Sequence, residues 1–494
     1  MSRGPRFVAG WWIAALLGPR VALAAVQAPT DPDSARRVYA ALVAADSFDS
    51  RAVFRLARLT PRAAEALRLY RRYTQLEPDD PWGHMALGDA LARAGRYHEG
   101  LASYAVAERL APGERDVAVG RARLHARAGR TDAAVAAYER WLAHHEDDAE
   151  AWRELGRELM RAGRARGAAS AFERSLALEP DGVTGRRLTL ARAASLPAID
   201  PHATWSRDSD GNTALGFGGE LDISPEDRLR WGVSLRRVGL ADGLNTASLL
   251  GVGVRARWRP RATVSVRAAL DAERLESSAT ADPARVRPAL DARVSVRAPG
   301  GGPSLDIQTQ SAVLSAGPAL LASQVRRTEA ALRLDLPLRP LRLRAGARGA
   351  AVSGGGLTNY RSWLSGGAAI PVADGIEMVG LYHRLSYRDS TSAGYFAPRL
   401  AEVLEVGSYV EVEPGGWLLA LDVGAGAQRT APHGQLMGDW KPALRLWGLT
   451  QVTLSPGRNL RLEVEAYDTQ VAPLAATTGA WRYLSTSLGL RLAL

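Results

Sequence analysis

The carboxy-terminal stretch YLSTSLGLRLAL, residues 483–494, alternates apolar and polar side chains. Leu484, Leu488 and Leu492 share one face of an extended chain, because successive side chains of a β-strand point to opposite sides. Ser487 and Arg491 fall on the other face. The stretch therefore predicts a strand with one apolar and one polar face.

The same two-residue period recurs from about residue 199 to the end of the chain, with breaks at Gly, Pro, Asp, Asn or Ser. A closed barrel in a bilayer requires this pattern, because hydrocarbon surrounds its outside and water fills its lumen. A soluble sandwich would instead bury its aliphatic faces against a second sheet. We predict a transmembrane antiparallel β-barrel of about 16 strands over residues 199–494, wide enough for an aqueous channel.

The polar faces of these strands supply candidate channel-lining residues. Guanidinium, carboxylate and tyrosine groups hydrogen-bond sugar hydroxyls, and a mixed-charge wall holds a polymer weakly at many places. The alternative is that the charges pair across strands and only stiffen the wall. The candidates are Arg267, Asp271, Arg293, Arg342, Arg344, Arg461, Glu463, Glu465 and Tyr467.

Aromatic residues near predicted strand ends are candidates for interfacial girdles, which anchor a barrel at the two membrane surfaces. Core aromatics of a soluble fold are the alternative for each of them. The candidates are Trp231, Trp258, Tyr382, Trp417 and Trp481.

The composition is basic and lacks cysteine. The 63 Lys+Arg residues exceed the 52 Asp+Glu residues and give a formal net charge of +11. Such a balance favours anionic partners, but no basic block is interleaved with aromatics, so nucleic acid is not predicted as a partner. The absence of Cys excludes disulfides, thiolate metal sites and cysteine nucleophiles.

The amino terminus has the pattern of a secretory signal peptide. Arg3 and Arg6 precede an apolar run at residues 7–17, and Ala22-Leu23-Ala24 has the small-x-small pattern of a cleavage site. A membrane anchor is the alternative, but the run is short for a span. We predict a signal peptide over residues 1–24 and no transmembrane helix in the mature chain.

Residues 36–196 carry a helical repeat. Gly95, Gly129 and Gly163 are evenly spaced, at the period of about 34 residues that tetratricopeptide repeats show. Aromatic residues follow the same period at Tyr70, Tyr104, Tyr138 and Phe172. The pattern predicts a tetratricopeptide-repeat domain of about four repeats with a closing helix near residues 183–196.

A tetratricopeptide array presents a concave face to a partner. In this family the first helix of each pair lines the groove, which makes the matching arginines candidates for binding an acidic segment or an anionic glycan. Ordinary solvated arginines on a helix surface are the alternative. The candidates are Arg93, Arg123, Arg127, Arg153, Arg157 and Arg161.

An exported repeat array followed by a barrel resembles the outer-membrane export porins of bacterial exopolysaccharide systems, those for cellulose and poly-N-acetylglucosamine. The pentapeptide GYFAP at residues 394–398 resembles a Gly-Tyr-Phe-Ser-Pro motif of the cellulose type, with Ala397 in place of Ser. The array is shorter than in those porins, and the chain ends at Leu494 where such barrels end on an aromatic residue. The resemblance implies a polysaccharide channel in the outer membrane of a Gram-negative-type bacterium, with a periplasmic repeat domain that docks periplasmic or inner-membrane proteins.

No catalytic, cofactor or metal site is predicted. Residues 208–212 resemble part of a calcium loop but lack the downstream Glu, which favours a hairpin turn. The pair Glu463 and Glu465 gives no reason to infer glycosidase chemistry. We therefore predict a protein that is not an enzyme, with a non-transporting outer-membrane scaffold or assembly factor as the alternative to an export channel. A barrel enzyme would require a catalytic set clustered at one rim.

Overall fold

The computed structural model describes residues 31–354, 357–393, 395–468 and 482–494. The predicted signal peptide lies outside these ranges. The chain divides into two compact units between His145 and Glu146.

The first unit is helical, and each helix packs against the next one along the chain. Asp31, Asp49 and Asp80 are the N-cap residues of three helices. Their side chains accept hydrogen bonds from backbone N–H groups of the first turn. The helices are α1 Pro32–Ala45, α2 Ser50–Leu59, α3 Ala63–Leu76, α4 Pro81–Arg93, α5 Tyr97–Leu110, α6 Arg115–Arg127 and α7 Thr131–Leu142.

The repeated glycines and aromatics have distinct roles in these helical pairs. Gly95 and Gly129 occupy turns with φ of +75° and +68°, a left-handed conformation that favours glycine. The ring of Tyr104 occupies the space beside Gly88, where an added Cβ would lie 2.6 Å from it. The sequence period therefore reflects tight turns and close helix crossings.

The second unit begins with helices α8 Ala149–Arg161, α9 Ala165–Leu178 and α10 Gly182–Ser195. Phe172 packs against Gly156 as Tyr104 packs against Gly88, with an added Cβ only 2.5 Å from the Phe172 ring. Asp148 and Asp181 cap α8 and α10. The last repeat and the closing helix thus belong to the same compact unit as the strands that follow.

The strands of the second unit form one sheet. Their bounds are β1 Ala198–Ile199, β2 His202–Asp208, β3 Thr213–Glu226, β4 Leu229–Ala241, β5 Thr246–Arg261, β6 Val264–Ser277, β7 Arg285–Arg297, β8 Ser304–Val313, β9 Arg326–Leu338, β10 Leu341–Gly354, β11 Leu357–Ala373, β12 Ile376–Tyr387, β13 Leu400–Val412, β14 Trp417–Ala431, β15 Lys441–Ser455, β16 Arg458–Asp468 and β17 Arg482–Ala493. A short helix, α11 Pro318–Ala322, lies between β8 and β9.

Each strand from β2 to β17 pairs antiparallel with its neighbour in sequence, and the sheet closes on itself. The closing pair is β17 with β2, in which Tyr483 lies opposite Asp208 and Gly489 opposite His202. The short strand β1 continues the line of β2, with Ala198 paired to both β17 and β3. Within the described residues the ring has sixteen strands, β2 to β17, which confirms the predicted barrel.

The two ends of the barrel differ in the length of their connections. Two-residue turns join β3 to β4, β5 to β6, β9 to β10, β11 to β12 and β15 to β16. The other end carries longer connections, including residues 278–284, 314–325, 388–399 and 432–440. We call these the short-turn end and the long-loop end. Helix α10 leads into the barrel at the short-turn end.

The outer face of the barrel is mostly apolar. On β5, Val252 and Val254 are each 54% exposed, and aliphatic residues occupy equivalent positions around the ring. Trp231, Trp258 and Trp417 are exposed on this face close to the short-turn end. Tyr382 is exposed on the same face, and the remaining girdle candidate, Trp481, lies outside the described residues. No described helix is long and apolar enough to span a membrane.

Candidate functional site

The loop at residues 314–325, here called the mouth loop, identifies the inner face of the barrel. Leu321 packs with Leu249 on β5 and Leu275 on β6. The adjacent Leu320 belongs to a cluster that contains Val403 on β13. Neighbouring residues of one loop can reach such distant strands only from inside the ring. Side chains on the same strand face as these contacts therefore line the lumen.

Apolar packing fills the lumen at the long-loop end. Leu314, Leu320 and Val325 of the mouth loop pack with inward residues of β10, β12, β13 and β15, and all of them are buried. The Gln324 amide oxygen accepts hydrogen bonds from Arg287 at 2.8 and 3.2 Å. The Ser277 hydroxyl donates to the Pro318 carbonyl at 2.9 Å. The mouth loop is thus held inside the barrel by both apolar and polar contacts.

The loop at residues 388–399 contributes to the same closure. Tyr395 is 6% exposed, and its ring lies 5.8 Å from that of Tyr387. Phe396 packs in the same hydrophobic cluster as Tyr467 and Tyr483, whose rings stack at 4.9 Å. Tyr395 and Phe396 belong to the GYFAP segment, of which Gly394 lies outside the described residues. The segment packs at the mouth of the lumen.

Below the mouth, the wall is charged, and many of its charges are paired across strands. Arg342 and Arg344 both donate to Glu377 at 2.9 Å. Each also lies near Asp335, at 3.6 and 3.5 Å. This cluster joins β9, β10 and β12, so the candidates Arg342 and Arg344 face the lumen in a network that braces the wall.

A buried ion pair lies on the same wall, nearer the long-loop end. Arg361 donates to Glu329 at 3.0 Å, and their side chains are 2% and 10% exposed. The Arg361 and Arg348 guanidinium groups lie 5.2 and 5.1 Å from the Trp363 ring centre, within the range of cation–π contacts. Residue type and spacing did not single out this cluster, because the sequence does not show which strands pair at that height.

The candidates on β16 line another part of the wall. Arg461 donates to Glu463, which also accepts a hydrogen bond from the Trp447 indole at 2.8 Å. Glu465 is exposed to the lumen opposite Trp447 in the strand register. Tyr467 lies higher, in the aromatic contact with Tyr483. Polar and aromatic groups are thus combined on this side.

Three further candidates lie on β6 and β7. Asp271 is 9% exposed and accepts a hydrogen bond from Ser234 at 3.4 Å. Arg293 donates to Asp306 at 3.2 Å. Arg267 lies directly opposite Arg293 and is exposed. Arg257 and Arg333 also face the lumen beside these residues but were not among the predicted candidates. Strand alternation places them on the polar face, but it does not show which residues lie beside them.

The groove candidates in the first unit are Arg93, Arg123 and Arg127. Arg93 donates to the carbonyl of Asp89 in its own helix at 3.4 Å. Arg123 and Arg127 lie close enough to Tyr104 for their charges to act on it. The Tyr104 hydroxyl donates to Asp89 at 2.9 Å, and burial together with the Asp89 charge raises the pKa of Tyr104 above its ordinary value.

The groove candidates in the second unit are Arg153, Arg157 and Arg161, and each contacts a nearby carboxylate. Arg153 lies 3.2 Å from Glu179, and Arg157 lies 2.8 Å from Glu154. Arg161 pairs with Glu158, a side chain that is only 2% exposed. Burial raises the pKa of Glu158, while Arg161 and Arg157 oppose the shift. Arg157 and Arg161 therefore have partners in their own helix, and Arg153 has a partner just beyond the end of α9.

The helices match a known repeat family. Models of the tetratricopeptide repeat match residues 61–115 and 115–158. The helical region is a tetratricopeptide-repeat domain. This domain precedes a closed barrel with an apolar exterior and a charged lumen, the architecture of an outer-membrane protein.

Solved structures with similar folds include an outer-membrane protein and repeat proteins. One is a bacterial polysaccharide outer membrane secretin, 10% identical, with a TM-score of 0.45, covering 61% of this chain and 99% of its own. A thermophilic TPR protein from Thermus thermophilus is 23% identical, with a TM-score of 0.27, covering 33% and 90%. The type IV pilus biogenesis factor PilW is 20% identical, with a TM-score of 0.31, covering 33% and 80%. None of the curated proteins matches the chain.

In the described part of the chain, no group of three or more His, Asp or Glu side chains is placed to hold a metal ion. The turn at residues 208–212, which resembled part of a calcium loop, closes through its own contacts. Asp208 accepts the backbone N–H groups of Asp210 and Asn212, each at 2.9 Å. Its carboxylate therefore stabilises a hairpin turn.

Proposed function

We propose that this protein is an outer-membrane channel for the export of a polysaccharide. The observation that carries the proposal is the contrast along the lumen: charged and polar side chains line the lower part of the barrel, whereas apolar side chains of the described residues pack inside the long-loop end. A barrel used only as an anchor has no need of a polar wall below a closed mouth. A channel that opens at one end needs both a polar wall and a mouth that can close.

The two ends of the barrel support an outward direction of transport. Outer-membrane barrels place short turns in the periplasm and long loops outside the cell. Helix α10 enters at the short-turn end, and this supports a periplasmic repeat domain in the proposed orientation. In this orientation a polymer enters at the short-turn end and leaves past the mouth loop.

The wall chemistry suits a sugar chain. Arginine, carboxylate and tyrosine groups hydrogen-bond hydroxyls, and the inward Trp363 and Trp447 offer flat apolar surfaces between them. Several of the acids are already bonded to arginines, as Glu377 is to Arg342 at 2.9 Å, and these acids are suited to binding and not to proton transfer. The proposal therefore includes no catalytic step.

The repeat domain docks a protein partner in this proposal, because tetratricopeptide arrays bind ligands on their concave face. Arg123, Arg127 and Arg157 remain the candidates for contacting an acidic segment. A variant with all three changed to Glu should lose binding to a poly-glutamate peptide in a titration with the full chain. Unchanged binding would remove these arginines from the partner site.

Single-channel conductance in planar bilayers tests the channel. The wild-type protein should show rare openings, and a variant whose residues 315–324 are replaced by a short Gly-Ser link should conduct steadily. The rival function is a non-transporting scaffold anchored by its barrel. Silence of both proteins, with the barrel shown to be folded by its heat-dependent mobility in electrophoresis, would favour that scaffold.

A further inference from the structure

Four inward arginines lie next to one another on one side of the barrel. Arg257 on β5 is opposite Arg267 on β6, which is opposite Arg293 on β7. Arg333 on β9 is opposite Asp306 on β8, two positions from Gln308, the β8 partner of Arg293. We call these four residues the arginine ladder.

Like charges directly opposite each other destabilise a sheet, and little in the ladder offsets them. Asp306 bonds to Arg293 at 3.2 Å and to Ser295. Throughout the described residues, no carboxylate forms an ion pair with Arg257, Arg267 or Arg333. These three side chains are exposed to the lumen.

The excess charge is local to the ladder. On the adjoining wall, Arg255 lies 3.5 Å from Glu220, and Asp222 lies 3.3 Å from Arg230 and 3.2 Å from Arg491. On the other side, Asp335 and Glu377 neutralise Arg342 and Arg344. A cavity of about 220 Å³ beside the ladder is lined by charged residues of both signs, among them Arg230, Arg255, Arg257, Arg267, Glu220, Asp222 and Asp291. The ladder thus presents a positive strip between neutralised walls.

We propose that the arginine ladder binds carboxylate groups of an acidic polysaccharide, so that the exported polymer is anionic. This inference rests on the proposed function for the polymer's passage but not for its binding. The guanidinium fork matches a carboxylate in shape and donor number. Arginines on neighbouring strands recur about every 4.8 Å, which offers successive contacts to a chain that carries repeated charges. Their exposure to water keeps each contact weak enough for release.

Isothermal titration of the full chain in detergent micelles with oligogalacturonate tests the ladder. The wild-type protein should bind this acidic oligosaccharide and should not bind a neutral cello-oligosaccharide at the same concentration. The variant R257Q/R267Q/R333Q should bind oligogalacturonate more than about tenfold more weakly, because it loses three charge-assisted contacts. Added salt should weaken wild-type binding.

The matched control is R207Q/R237Q/R384Q, which removes the same charge from exposed arginines on the outer face. It should bind as the wild type does. Because the ladder substitutions relieve repulsion, the folded barrel should persist, as its heat-dependent mobility will show. The single variant R267Q, which disturbs the wall least, should bind with intermediate affinity.

Four results would each overturn the ladder as a carboxylate site: no oligogalacturonate binding by the wild type, equal binding by the ladder variant, equal loss in the outer-face control, or binding of polyphosphate without oligogalacturonate. None of them depends on conductance. A barrel that never conducts would refute export, whereas a conducting barrel that treats acidic and neutral sugars alike would refute only the ladder.

Discussion

Asp227, in the turn between β3 and β4, accepts a hydrogen bond at 2.9 Å from the backbone N–H of Gly167 in the first turn of α9. The same carboxylate accepts the N–H of Arg166 at 2.7 Å. A residue of the barrel therefore caps a helix of the last repeat. This contact joins α9 to the barrel within one compact unit.

Removing this cap should loosen α9. We expect Asp227→Ala to cost about 1 kcal/mol, the range for loss of a helix cap, and to increase hydrogen exchange in residues 165–178. The matched control is Asp242→Ala, because Asp242 accepts the backbone N–H groups of Leu244 and Asn245 in a turn at the long-loop end. Equal exchange in α9 for wild type and Asp227→Ala would show that the contact does not stabilise the helix.

Opening of the mouth should respond to a charge placed in its apolar packing. Leu321 is 1% exposed among Leu249, Leu275 and neighbouring residues, so Leu321→Asp forces either an unpaired buried charge or release of the loop. We expect the open fraction in single-channel recordings to rise at least tenfold, equivalent to about 1.4 kcal/mol. Leu244→Asp is the control, since Leu244 is 94% exposed in a loop at the same end. If both variants gate as the wild type does, the mouth loop is not the barrier.

Loss of Arg361 alone from its buried pair with Glu329 should destabilise the barrel more than loss of both charges. Arg361→Met leaves the Glu329 carboxylate buried without its closest partner, and we expect a loss of about 3 kcal/mol in the free energy of unfolding. The double variant Arg361→Met/Glu329→Gln should recover part of that loss, because the unpaired charge is gone. Urea unfolding in lipid vesicles, followed by tryptophan fluorescence, measures both.

The control for the buried pair is Arg342→Met. Arg342 also bonds a carboxylate, but its side chain is 42% exposed, so its loss should cost less than about 1 kcal/mol. Similar losses for Arg361→Met and Arg342→Met would mean that burial does not set the strength of these pairs.

The cap of α10 should confer a pH dependence in the acid range. Hydrogen bonds from the Thr184 hydroxyl and backbone lower the pKa of Asp181 from 3.8 to about 2. Because the folded-state pKa is depressed, the carboxylate stabilises the helix fully above pH 3.8 and loses this effect as the pH falls through about 2. Protection of residues 182–195 from hydrogen exchange should therefore be greater in wild type than in Asp181→Ala above this range, and equal below it.

The variant Thr184→Val keeps the carboxylate but removes its hydroxyl partner. It should move the loss of protection toward higher pH, since the hydroxyl bond is the largest cause of the lowered pKa. A difference between wild type and Asp181→Ala that persists unchanged below pH 2 would contradict this account.

The strands and the repeats were predictable because their signals are local. Alternation such as that of Leu484 and Arg491 follows from strand geometry alone, and the spacing of Gly95, Gly129 and Gly163 follows from one repeated turn and crossing. The class of fold, the barrel and the repeat domain are confirmed. The polar faces also supplied candidate wall residues by the same rule.

Pairing between distant strands was decided by the closed ring and its register. No local pattern reveals that Arg257, Arg267 and Arg293 face one another, or that Arg361 meets Glu329. Residues 314–325 lie between two strands as any loop does, yet the ring brings the walls around Leu320 and Leu321 and buries them. The amino-acid sequence by itself determined which residues form strands, helices and faces, because those depend on neighbours along the chain. Only the tertiary structure decided which charges are neutralised and where the lumen is closed, because those contacts depend on strand register and ring closure.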